Sequence, residues 1–449
     1  MATCLHMLAL KSDGTLWSWG NNRRVGLDAA GGQLGDNTAT SESSPVAVVG
    51  SYSFIQVTLG MNHTLGLKAD GTLWAWGIGA NGELGNNTAN TVSSPVAVVG
   101  NHSFIRVTAN GHYDYSVGQG SSYGLKADGS VWSWGQNSFG QLGDNSNTDK
   151  SSPVIVAGNH SFVQISAGYQ NGMGLKADGT AWCWGVNGYG TCGDQTVTWR
   201  SSPVAVTGNH SFIKVIMAQQ SAYGLKIDGS VWSWGLNRGG ELGDGTKTDR
   251  SSPVLVVGSH VFNSLVTGSG RAAYGLKADG SVWTWGNNET GQLGNNDYGF
   301  GTFKTSPVAV VGSHSFRMLF AGGYVNSSGG RDQPKGFAAG LKLDGTLWMW
   351  GYNGFTSLGD ETATDKSSPI LVVGNHSFAL LPEFEPVDFL TVIDLFETGS
   401  GVETPEIVQS GLSLDDTGGV SDEEVDHVRN HSAYFNEVRL NMWKLDEEV

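Results

Sequence analysis

The stretch Tyr123–Gly135, YGLKADGSVWSWG, returns in six further versions along the 449-residue chain, each ending in Trp-x-Trp-Gly. The pairs are Trp17/Trp19, Trp74/Trp76, Trp132/Trp134, Trp182/Trp184, Trp232/Trp234, Trp283/Trp285 and Trp348/Trp350, so fourteen of the 16 tryptophans belong to one motif. Self-similarity at such a period is the signature of a repeat architecture. Inside the stretch, Ala127-Asp128-Gly129 reads as a tight turn, because glycine tolerates positive φ and aspartate can bond its own local backbone. The flanking runs alternate, placing Trp132 and Trp134 on one face of a strand and Val131 and Ser133 on the other. At about 200 Å² per indole and roughly 25 cal/mol per Å², each tryptophan contributes on the order of 5 kcal/mol gross when buried. The tryptophans are therefore expected in the core.

Each full repeat has four beats. In the third repeat they are SFIRVTA (103–109), YGLKADG (123–129), SVWSWG (130–135) and, after a longer loop, SSPVIVAG (151–158). Four strands per unit and seven units predict an all-β fold, a seven-bladed β-propeller whose blades are small antiparallel sheets. The chain starts on a second beat and ends its seventh unit with a surplus first beat, His376 to Leu381, which is expected to close the ring. The motif LKADGxxWxWGxNxxGQLG, seen in Leu125 to Gly143, together with the SSPV that follows, resembles the RCC1 (regulator of chromosome condensation) repeat family over residues 1–382.

That resemblance implies the propeller fold and leaves function open, since one scaffold hosts unrelated activities. The family includes a guanine-nucleotide exchange factor for a small GTPase, a plant ultraviolet sensor and many adaptors. The sensor's Gly-Trp-Arg-His-Thr motifs have no match here; Trp199-Arg200, in TVTWRSSP, is the one Trp-Arg pair.

Composition agrees with short strands and tight turns: 15% charged residues and 67 glycines. The net charge of -16 is unevenly spread. Residues 1–382 hold 22 Lys+Arg against 24 Asp+Glu, and residues 383–449 hold 3 against 17, so the tail carries -14 of the total. A nearly neutral body with an acidic tail offers no basic stripe for a phosphate backbone, and direct nucleic-acid binding is not expected. Cys4, Cys183 and Cys192 are odd in number and lack metal-ligand spacing, which indicates neither a disulfide framework nor a zinc site. No signal peptide and no apolar run of transmembrane length is present in this sequence.

Whatever recurs in every repeat is scaffold before it is a site. His102, His160, His210, His260, His314 and His376 all occupy the same turn and read as structural. The loops Asp144–Asp149, Asp244–Asp249 and Asp360–Asp365 have alternating oxygen side chains but lack the glycine and distal glutamate of a calcium loop. No catalytic motif remains, and no cofactor or metal site is predicted.

What the repeat leaves over lies in the loops between beats one and two and between beats three and four, which emerge on one side of an up-and-down blade. That side carries Arg23, Arg24, Tyr113, Tyr115, Trp199, Arg200, Tyr298, Phe300, Phe303, Tyr324 and Arg331. Such residues anchor protein interfaces, and those of blades six, seven and one are expected to form one patch.

Residues 383–449 form an acidic attachment segment: an apolar-acidic run with Phe389 and Phe396, a linker over about 398–420 and a segment 421–447 with helical spacing. Ser421 opens the latter with a capping box, and Val428, Phe435, Met442 and Trp443 supply docking side chains. A terminal strand fits the alternation Tyr434, Val438, Leu440, Met442 nearly as well. The expected function is that of a non-enzymatic protein-interaction or structural module. The propeller would be made in the cytoplasm and displayed on a larger assembly such as a phage or virus virion. The alternatives are a cytosolic adaptor and a guanine-nucleotide exchange factor.

Overall fold

The computed structural model describes residues 6–10, 14–20, 22–23, 31–111, 120–268, 270–326, 333–354 and 358–373. Every regular element among them is a strand. Six antiparallel sheets of four strands and one of three follow one another along the chain, and within each sheet the strands pair in chain order. Blade 3 shows the plan, with strands Arg106–Ala109, Ser121–Leu125, Val131–Gly135 and Lys150–Ile155. First strands of successive blades pack on one another, which sets them at the axis and the fourth strands on the rim. The expected propeller architecture is thus present. Blade 1, with His6–Leu10, Leu16–Gly20 and Glu42–Ala47, has three described strands. The expected closing strand, the linker, the 421–447 segment and Phe389, Phe396, Val428, Phe435, Met442 and Trp443 lie outside the described residues.

The turn between second and third strands forms as its residues require. Gly129 has φ +81°, and Asp128 Oδ1 accepts from Ser130 N at 2.8 Å and Ser130 Oγ at 2.6 Å. Aspartates 70, 178, 228, 279 and 344 repeat the arrangement with the Ser or Thr two residues on. These hydrogen bonds hold each carboxyl below its usual range.

The two tryptophans of a strand have different surroundings. Trp76, Trp134, Trp184, Trp234, Trp285 and Trp350 are fully buried between blades. Trp134, for example, packs with Phe104 of its own blade and with Leu65, Leu67 and Leu73 of blade 2. The first tryptophan of each pair is only partly buried. Trp132 packs with both the His102 ring, at 4.3 Å, and the Lys126 ammonium, at 4.5 Å. His160, His210, His260 and His314 pack in the same way on Trp182, Trp232, Trp283 and Trp348, and each indole has its own lysine over the ring. The described histidines of the shared turn are thus ring-stacking scaffold; His376 is outside the described residues.

The loop from third to fourth strand is built around one buried asparagine. Asn137 Oδ1 accepts from Leu142 N at 2.9 Å, while Nδ2 donates to Asp144 Oδ1 at 2.9 Å and to the carbonyls of Ser146 and Thr148. Asp144 also receives Ser146 N and Oγ, and Lys150 stands 3.5 Å away. Asn237 with Asp244 and Arg250, and Asn353 with Asp360 and Lys366, repeat this lock. The carboxylates that resemble calcium ligands in sequence are therefore engaged by the loop's own donors and a cationic side chain. Burial pushes Asp360 up, but Lys366, Thr362 and Asn353 outweigh it and hold it at about 2.

One expectation is overturned. Cys183 and Cys192 form a disulfide, with Cα atoms 5.1 Å apart. Counting cysteines missed it because the two sit on elements made adjacent by the blade: Cys183 on the third strand, Cys192 on the loop that folds back over it.

Candidate protein-binding face

The loops between first and second strands and those between third and fourth strands meet on one face. In blade 3, Gln136 N donates to Gly120 O at 2.9 Å, joining the start of one loop to the end of the other. Val186 to Gln170 and Leu236 to Gln220 make the same bond in blades 4 and 5. The Asp-Gly turns join the connections between blades instead, as Phe162 N to Gly129 O at 2.8 Å shows, and so form the opposite face.

On the loop-bearing face, Trp199 is 53% exposed and its ring stands edge-on to Phe139 of blade 3, 5.0 Å away at 85°. The Arg238 guanidinium of blade 5 lies 5.0 Å over Tyr189 of blade 4, and Lys247 of blade 5 lies 4.7 Å over Phe303 of blade 6. Tyr298 and Phe300 project from the same blade 6 loop at 63% and 77% exposure. Arg23 is exposed as well. Aromatic and cationic side chains thus follow one another over blades 3 to 6.

The expected patch over blades six, seven and one falls partly outside the described residues. Phe303 turns toward blade 5, while Tyr113, Tyr115, Arg24 and Arg331 lie outside the described residues, and of Tyr324 only the strand position is described. Arg200 is taken up by Asp194, through Nε at 2.7 Å and an ion pair from its Nη2. It is the counterpart of Arg250 and Lys150 in the loop lock. Sequence reading missed Phe139, Tyr189, Arg238 and Lys247. A signal existed for three of them, since Phe139, Tyr189 and Arg238 vary within the otherwise regular Asn-x-x-Gly step, but nothing local shows that each meets a neighbouring blade.

Beneath this face lies a buried polar layer, which in blades 1 to 3 holds two histidine–hydroxyl pairs. His63 Nε2 is 2.9 Å from Ser122 Oγ, which donates to Glu83 O at 2.9 Å. Because the hydroxyl proton is committed to the carbonyl, His63 donates from Nε2. His6 and Thr64 form the matching pair at 3.1 Å, with Thr64 Oγ1 donating to Gln33 O. Burial lowers His63 to about 4; burial, then the nearby His63, lowers His6 to about 3. Burial likewise raises Glu83 to about 7, against the hydrogen bonds it accepts from Asn81. A histidine beside a serine has the composition of a nucleophile and its base, yet Ser122 is fully buried and its proton is already placed, so the pair joins blades rather than meeting a substrate. Among the described residues no group of three or more His, Cys, Asp or Glu side chains is placed to hold a metal, and no helix is long and apolar enough to cross a membrane.

Antiparallel blades in sequence about a common axis define a β-propeller. The family model described as the regulator of chromosome condensation (RCC1) repeat matches residues 128–175, 228–266 and 279–326, and a second model of that description matches 5–24, 54–83 and 162–191. RCC1 repeats are thus present in this chain. Prp20p from Saccharomyces cerevisiae, described with its binding to Gsp1p and histones, is similar in structure, with a TM-score of 0.64 at 17% identity over 82% of this chain and 88% of its own. Yeast RCC1 (Prp20) bound to Kap60 gives 0.63 at 17% identity over 84% and 86%. Human WBSCR16 gives 0.58 at 20% identity over 75% and 86%. No curated protein sequence matches the chain.

Proposed function

We propose that this protein is a non-enzymatic interaction module whose propeller is carried on a larger assembly by residues 383–449 and binds a protein partner through its loop-bearing face. The run of exposed Trp199, Tyr298 and Phe300, with Arg238 and Lys247 beside further rings, carries this reading. Aromatic and arginine side chains are the types that dominate binding energy at protein interfaces. The rim is a poor docking edge, because prolines 153, 203, 253, 307 and 369 interrupt the outer strands, and proline on an edge strand blocks pairing with a foreign strand. On this reading the acidic segment is the attachment handle, and a virus particle is one assembly that fits a displayed propeller.

The test is affinity capture from the native source, using the full chain, residues 1–382, and the full chain with Trp199→Ser and Phe300→Ser. Partners lost with the double variant belong to the face; particle proteins lost with the truncation belong to the tail. Retention of every partner by the double variant defeats the face reading. Against this stands an exchange-factor role: accelerated nucleotide release from a small GTPase, abolished by the same loop changes, would replace the module reading with it.

A further inference from the structure

We propose that the Cys183–Cys192 bond is a redox-addressable staple that sets how firmly blade 4 presents Trp199. Blades 1, 3 and 5 show what normally stands at these two places. Ser18, Ser133 and Ser233 each donate Oγ to the carbonyl of Leu34, Leu142 and Leu242 at 2.6 Å, and Thr284 does so to Leu293 at 2.8 Å. The leucine side chains, wholly buried, fill the core between blades. Blade 4 changes both members together, Cys183 for the serine and Cys192 for the leucine, and joins them covalently.

Either cysteine as a free thiol weakens the site. A thiol is a much poorer donor than the serine hydroxyl it replaces, so free Cys183 does not reproduce that bond to the loop carbonyl. Cysteine is smaller than leucine, so at 192 it leaves part of the inter-blade core unfilled. The covalent bond is what offsets both losses. Reduction therefore leaves blade 4 with neither the hydroxyl bond of blades 1, 3, 5 and 6 nor the leucine that blades 2 and 7 keep beside Ala75 and Met349.

The consequence reaches the face through a short chain of contacts. Cys192 N donates to Asn187 Oδ1 at 2.8 Å, and Asn187 Nδ2 holds the carbonyls of Thr196 at 3.2 Å and Thr198 at 3.1 Å. Trp199 follows directly and leans on Phe139. Reduction consumes two electrons and two protons per bridge: a thiol reductant attacks one sulfur, forms a mixed disulfide, and leaves oxidised as both cysteines become thiols. Both cysteine side chains are wholly buried, so exchange proceeds through local opening of blade 4.

The experiment uses the full chain purified without reductant. After denaturation, alkylation is expected to label one cysteine, Cys4, and to label three after prior treatment with dithiothreitol. Hydrogen exchange of amides 187–199 is expected to quicken about tenfold in the reduced protein, while the cysteine-free loops 137–149 and 237–249 stay unchanged. Cys183→Ser with Cys192→Leu restores the pair used by blades 3 and 5, and its loop should exchange slowly with or without dithiothreitol. Three labelled cysteines before reduction, or equal exchange of 187–199 in the two redox states, overturns the proposal.

Discussion

Trp134 of blade 3 donates its indole N–H to the main-chain carbonyl of Glu83 in blade 2 at 2.9 Å, across 51 residues of sequence. Trp76, Trp234 and Trp350 make the same bond to Gln33, Thr191 and Gln292. Blades 4 and 6 depart from it. There the equivalent carbonyls, of Gln141 and Glu241, accept the hydroxyls of Tyr123 at 2.7 Å and Tyr223 at 2.6 Å, and the indole N–H groups of Trp184 and Trp285 are without a partner.

Tyr123→Phe should therefore cost little, under about 1 kcal/mol, because Trp184 can take the vacated carbonyl and end its own unsatisfied state. Chemical denaturation of the single variant measures this. A loss above about 2 kcal/mol would show that the indole does not make the exchange.

Glu83 occupies the place of Gln33, Gln141 and Gln292, and burial raises its carboxyl from 4.5 to about 7. A raised carboxyl disfavours the folded state as it ionises: nothing is lost below pH 4.5, and the penalty is complete above about 7. Glu83→Gln should thus stabilise by roughly 1–3 kcal/mol at pH 8 and leave pH 4 unchanged. Urea midpoints at the two pH values decide it, and an equal shift at both rules out the ionisation argument.

The stacked histidines have the opposite sign. Burial, then the lysine that packs on the same indole, lowers His102, His160, His210, His260 and His314 below 6.5. Their contribution is whole above pH 6.5 and is lost as pH falls through the lower folded values; buried His63 follows at about 4 and His6 at about 3. Blade 2 carries Tyr52 at this place, 4.3 Å from Trp74. Replacing the five histidines by tyrosine should narrow the difference in Tm between pH 7 and pH 5. An unchanged difference would assign the acid sensitivity to other groups.

Gly124 shows why glycine precedes the leucine of the second strand. A Cβ there would stand 2.4 Å from the Phe104 ring, and Gly66, Gly174, Gly224, Gly275 and Gly340 face their own phenylalanines as closely. Gly124→Ala should destabilise by about 1–3 kcal/mol, through forced displacement of a packed ring. A thermal melt within a degree of the parent would mean that Phe104 moves aside freely.

Much of the fold was legible because each blade repeats the same local physics. The Asp-Gly turn and the alternating Trp-x-Trp strand are set by residues within one unit, and seven copies made their reading secure. The side on which variable loops emerge followed from strand alternation alone. Tertiary structure decided the rest. Stacking of blades buried the second tryptophan and left the first packed with a histidine and a lysine, although the strand gives both the same face. It also joined Phe139 to Trp199, Tyr189 to Arg238 and Lys247 to Phe303, each pair drawn from neighbouring blades about one repeat apart, and it brought Cys183 onto Cys192. The sequence determines what each blade is; only the packing of one blade on the next determines which of its side chains meet.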